Sequence, residues 1–98
     1  MYRHVFIGVI KPGVSEEKIL ERINVMKAVT ESVAEVKNAA VGRNVGWFNP
    51  QDAILLISDF ENQEAFNAFI LSEPHQQLGA VAGEVFDMDA STAYQIQL

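Results

Sequence analysis

Residues 2–10, YRHVFIGVI, alternate between two faces, with Tyr2, His4, Phe6, Gly8 and Ile10 on one and Arg3, Val5, Ile7 and Val9 on the other. Both faces become apolar after the first few positions, the pattern of a strand covered on both sides. Lys11-Pro12-Gly13 follows, and proline then glycine suits the two central positions of a type II turn. Ser15 fits a helix N-cap, with Glu16 and Glu17 at the positive end of the dipole. Val14 and Ile19 stand at the two positions of a hydrophobic staple, while Lys18 occupies the place where a capping box needs Glu or Gln. Ile19, Leu20, Ile23, Met26 and Val29 form one helical face with Val25 at its edge, which predicts a helix over 16–31.

Residues 34–43 read as a second, more polar strand, and 44–52 as a loop containing Gly46, Pro50 and the unusual pair Trp47-Phe48. Residues 53–60, AILLISDF, are again apolar on both faces. Asn62 caps a second helix whose inner stripe is Ala65, Phe66, Phe69 and Ile70; truncating Phe66, if its ring is fully buried, is expected to cost about 3–5 kcal/mol. Glu73-Pro74 opens a third helix, in which Leu78, Val81 and Ala82 face inward and Gly83 fits a C-terminal cap. A last strand falls within 88–98, around Tyr94, Ile96 and Leu98.

The order β-α-β-β-α-α-β is the split βαβ, ferredoxin-like arrangement of an α+β domain. The two most apolar strands, the first and third, are the central pair in that topology, and the more polar second and fourth are its edges. Both long helices then cover one face of the sheet. The other face, carrying Val5, Ile7 and Val9, would be a bare apolar patch too large to leave in water. A second copy of the chain is the simplest cover, so these three residues are the expected homodimer interface.

The 98 residues suit one domain over 1–98. Hydrophobic residues at 49% and charged residues at 20% argue against disorder. Cysteine is absent, which excludes disulfides, thiolate metal sites and a cysteine nucleophile. Seven basic residues against thirteen acidic ones leave a net charge of −6, which disfavours nucleic acid and anionic membranes as partners. The basic, aromatic-rich strands of an RNA-recognition domain are missing, and Gly42-Arg43-Asn44 lacks the glycines and following helix of a phosphate loop. No apolar run approaches the ~18 residues of a membrane span, and the first ten residues lack a secretory pattern, so a cytoplasmic location is the default expectation. Asp87 and Asp89 are expected to be solvated. The only histidines, His4 and His75, fall on different elements with no metal-binding spacing, so neither a metal nor a cofactor is expected.

Four stretches carry a resemblance over essentially the whole chain: Tyr2-Arg3-His4-Val5, Lys11-Pro12-Gly13-Val14-Ser15, Val41-Gly42-Arg43-Asn44 and Pro74-His75. Together they resemble the stress-responsive α/β-barrel, or Dabb, domain family. The resemblance implies a dimer whose two sheets pack face to face into a barrel. Plant members of that family include a stress-stable protein and a polyketide cyclase that performs an intramolecular aldol closure. In the cyclase, a histidine of the first strand and one opening the third helix line a pocket between sheet and helices; His4 and His75 match these positions. A tyrosine of the cyclase is matched here by Phe69, which cannot donate a hydrogen bond, so a different substrate, or none, is expected.

Two function classes follow. In one, the protein is a cofactor-independent enzyme, with His75 as base and His4 as an orienting or acid group. Its substrate would be a small apolar carbonyl compound in a cavity walled by Phe6, Phe66, Phe69, Ile70 and Leu78. The helix N-terminus would keep His75 neutral near pH 7. In the other, the protein is a non-catalytic stable dimer with a stress-related role, its imidazoles structural, or with a ligand-carrying role in which the His4/His75 pocket binds a small molecule. A monooxygenase-like relative within the same barrel superfamily is a further alternative.

Overall fold

The computed structural model describes residues 1–98 throughout. Strand β1 (Tyr2–Val9) leads through the Pro12-Gly13 turn, where Gly13 has a φ of 85°, into helix α1 (Glu16–Ser32). The Ser15 side chain accepts the Lys18 N–H and caps that helix. Strands β2 (Asn38–Arg43) and β3 (Ala53–Phe60) form a hairpin, followed by helices α2 (Gln63–Leu71) and α3 (Glu73–Ala80), a 3₁₀ turn (Ala82–Glu84) and strand β4 (Thr92–Gln97). Asn62 caps α2 through the Ala65 N–H. The four strands make one antiparallel sheet in the order β2-β3-β1-β4, so the two doubly apolar strands are central. The fold is ferredoxin-like α+β.

The helix-side core has two parts. Ile10, Ile19, Ile23, Met26, Ile54, Leu56, Val85 and Phe86 join α1 to the sheet, while Val29, Val33, Phe60 and Phe69 close the end beneath α2. Gly8 is buried in β1 because the Phe86 ring occupies the space beside it; a Cβ on residue 8 would lie 2.5 Å from that ring. The opposite face of the sheet presents Val5, Ile7, Val9, Leu55 and Ile57, each partly exposed, with Tyr94 and Ile96 exposed beside them.

Several local expectations change. Strand β2 begins at Asn38 because the chain turns after α1, the Val36 N–H donating to the Val33 carbonyl, before pairing starts. Leu20 is 59% exposed, and the buried stripe of α1 runs instead through Ile19, Arg22, Ile23, Met26, Val29 and Thr30. Arg22 is admitted to that stripe because its guanidinium donates to the Val81 carbonyl and lies against Glu84, capping the end of α3. Val81 ends α3 and is exposed, and Gly83 lies inside the 3₁₀ turn instead of capping the helix. On α2, Phe69 is the fully buried ring; Phe66 and Ile70 are half-buried, since the 100° step between residues lets one position point straight at the sheet.

Phe69→Ala is accordingly expected to lower the unfolding free energy by about 3–5 kcal/mol, and Phe66→Ala by clearly less. Urea titration followed by circular dichroism checks the ranking; equal losses would place Phe66 in the core.

Candidate functional site

Alternation along β1 puts His4, Phe6, Gly8 and Ile10 beneath the helices. Ser72, the N-cap of α3, and Pro74 in its first turn fix where His75 leaves the backbone. Both imidazoles meet a cavity of about 230 Å³ between the sheet and the pair α2 and α3. Phe6, Phe69, Ile70 and Leu78 line it, as do Phe86, Met88 and Ala93, and its walls are almost wholly apolar. The volume is below the range of drug-sized ligand sites.

Phe66 departs from the expected arrangement. Its ring lies against His4, centroids 5.0 Å apart, and faces an adjoining cleft of about 300 Å³ instead of the apolar chamber. Arg3, Asn62, Gln63 and Gln95 bring polar groups to that cleft beside the rings of Tyr2, Phe60 and Phe66. Phe66 stands one turn before Phe69 and Ile70, which carries it toward the start of α2 and past the imidazole. His4 thus stands between an apolar chamber and a cleft of mixed lining, contributing to both. A larger open groove of about 630 Å³ between the end of α1 and β2 contains neither histidine nor aromatic side chain.

His4 is buried. Burial pushes its pKa below the ordinary 6.5, and the nearby His75 pushes the same way, since two adjacent imidazolium charges repel. Burial also lowers His75, whose ring meets Phe69 edge-on at 4.9 Å, while the Ile70 backbone carbonyl favours the protonated ring and partly opposes the shift. Desolvation is the leading cause that lowers the His75 pKa. Each neutral imidazole offers one N–H donor and one bare nitrogen. The chamber thus contains both a proton donor and a proton acceptor.

No group of three His, Asp or Glu side chains converges to hold a metal ion. No helix is long and apolar enough to cross a membrane. Val5, Ile7 and Val9 lie across the sheet from the cavity. Trp47 and Phe48 project into solvent, fully exposed, on a loop held by the Asn44 side chain, which donates to the Asn49 and Gln51 carbonyls and accepts the Gly46 N–H. Asp87 uses its side chain to accept the Asp89 and Ala90 N–H groups, shaping the turn into β4. Sequence reasoning missed Gln95, whose amide nitrogen lies 3.0 Å from His4 Nδ1, as well as Phe86 and Met88. Gln95 stands two residues from Ala93 on the same strand face, but its pairing with His4 depends on a register that alternation alone does not give.

No protein-family profile matches the chain, and no curated protein matches it in sequence. Its fold matches many solved structures. A dimeric ferredoxin-like protein of unknown function from Thermobifida fusca superposes with a TM-score of 0.86 at 18% identity, over 99% of this chain and 90% of that one. A protein of Arabidopsis thaliana matches with a TM-score of 0.83 at 22% identity, over 100% of this chain and 95% of that one. A hydroxynitrile lyase from Passiflora edulis matches with a TM-score of 0.83 at 16% identity, over 99% and 92%. These likenesses define the class, a ferredoxin-like α+β protein whose structural neighbours include dimers without a known function and an enzyme.

The lowered histidine pKa values have a consequence for stability. The unfolded chain binds protons at about pH 6.5 and the native one at lower pH, so the native state carries fewer protons in between. Their contribution is fully present above about pH 6.5 and is lost as pH falls through the folded-state values. Imidazole NMR titration should give both midpoints below 6.5, and denaturation midpoints should fall across the same window. A midpoint above 6.5 for either ring would contradict the burial account.

Proposed function

We propose that the chain is a Dabb-like dimeric α/β barrel whose chamber performs cofactor-independent acid–base chemistry on a small apolar carbonyl compound. The observation that carries this reading is the apolar cavity touched by both His4 and His75. The RHV, KPG, GRN and PH stretches support the family likeness, and the hydroxynitrile lyase among the structural neighbours supports an enzymatic use of this fold.

The bare nitrogen of His75 takes a proton from the carbon next to the carbonyl. The C–H bond breaks, its electron pair moves into the new C=C bond, and the carbonyl oxygen becomes an enolate oxygen. His4 donates an N–H hydrogen bond to that oxygen. The enolate carbon then either recovers the proton from His75 or attacks a second carbonyl carbon, whose C=O π bond breaks and whose oxygen takes that proton; in both cases the imidazole returns to its neutral form. Phe69, at the wall next to His75, offers no hydroxyl to hold a polar substituent, so substrate recognition rests on shape and on the two imidazoles.

Enolisation is directly measurable. Exchange of the α-hydrogens of a small methyl ketone in D₂O, followed by NMR, should run faster with the protein than with buffer and equimolar imidazole. His75→Gln should lower the catalysed rate by about 10²-fold or more, the usual contribution of a positioned base. Exchange at the imidazole background, or an unchanged rate in His75→Gln, would overturn the enzymatic reading.

The dimer is supported by the partly exposed Val5, Ile7, Val9, Leu55 and Ile57 on the sheet face that the helices leave open. Sedimentation at micromolar concentration should give a dimer burying on the order of 1,200–2,000 Å² or more. Ile7→Glu should give monomers or unfolded chain, because an unpaired charge would enter a dry interface. A wild-type monomer would sink this assembly.

A further inference from the structure

Gln95 stands directly opposite His4 on the neighbouring strand, on the sheet face beneath the helices. Its side-chain amide nitrogen is 3.0 Å from His4 Nδ1. With the amide nitrogen turned to the ring as it is here, the amide donates and Nδ1 accepts. A neutral imidazole that accepts at Nδ1 carries its single proton at Nε2. The ring has little freedom to evade this arrangement: it is 7% exposed, and Phe66 lies against it. On its other side in the sheet is Ser58, whose buried hydroxyl has no hydrogen-bond partner and so does not engage the ring. Gln95 is the single hydrogen-bond partner of the imidazole, and Nε2–H is left available to a molecule in the site.

We propose that Gln95 is a positioning residue that fixes His4 as the Nε2–H tautomer, committing His4 to hydrogen-bond donation and leaving His75 as the group that abstracts the proton. The division of labour rests on the acid–base reading above; the tautomer does not. The amide acts through the imidazole and touches no substrate itself. Its place on the exposed edge strand β4 allows substitution without opening the core.

The test reads the tautomer first. Long-range ¹H–¹⁵N correlation spectra of the full chain above pH 7.5 should show an unprotonated Nδ1 and a protonated Nε2 for His4. Gln95→Leu should replace this single species by a tautomer mixture. Gln95→Glu, whose carboxylate accepts, should move the proton to Nδ1 or charge the ring. In the ketone exchange assay, Gln95→Leu should lower the rate by about two- to ten-fold, the worth of one hydrogen bond. Wild-type His4 protonated at Nδ1, or an unchanged tautomer in Gln95→Leu, would overturn the role of Gln95. The expected tautomer with no ketone exchange in the wild type would uphold that role and overturn the acid–base reading instead.

Discussion

The Phe86 ring sits where a side chain on residue 8 would have to be, and much of the molecule is arranged around that contact. The ring is held there by the backbone as well. Ile10 bridges to Phe86, the Lys11 N–H donates to the Val85 carbonyl, and the Asp87 N–H donates to the Val9 carbonyl. The chain leaving α3 is thereby tied to the end of β1. That tie sets where α3 stops and where β4 can begin. It consequently fixes the relative positions of His75, His4 and Gln95, which come from three elements far apart in the sequence. Phe86 also forms a wall of the chamber, so one packing event both closes the fold and shapes the site.

Charged side chains secure the periphery of this arrangement. Arg43 holds Asp52 at 2.7 Å and also donates to Glu16, joining the end of β2 to the start of β3 and the start of α1. Both carboxyls are held below the ordinary carboxylate range, chiefly by these hydrogen bonds. At the opposite end of the sheet, Arg3 grips the enclosed Asp59 with two hydrogen bonds, and Asn38 adds a third. The exposed members of these clusters add little stability individually. Their geometric effect is larger: they fix the ends of the hairpin and of β1 while the interior of the sheet remains apolar.

The chain is unevenly legible. The apolar character of both faces of 2–10 and 53–60 marks the central strands, and Ser15, Asn62 and Pro74 mark helix starts, because these signals are local. The cap beyond α3 and the direction of Leu20 were misread for the opposite reason. The end of α3 depends on Arg22, a charged residue that the pattern assigns to solvent and that burial accepts because the Val81 carbonyl and Glu84 receive it. At the site, His4 and His75 were legible through resemblance and Phe69 through helical spacing. Phe66 was assigned to the wrong cavity because spacing gives a face and not a distance along it. Gln95 carried no signal of its own; only the pairing of β1 with β4 gives an exposed edge residue a partner.

The loop between β2 and β3 has a spectroscopic consequence. Trp47 is the only tryptophan of the chain, and it is 94% exposed at a tip braced by Asn44 and not by packing. Its surroundings in the native protein are already close to those in an unfolded chain. Collapse or melting of the core will therefore pass almost unseen in indole emission, however large the change in far-ultraviolet dichroism. Conversely, a blue shift of that emission in the folded protein signals that some other surface has come to rest on the loop. The molecule thus has an optical reporter blind to its own folding and sensitive to contact.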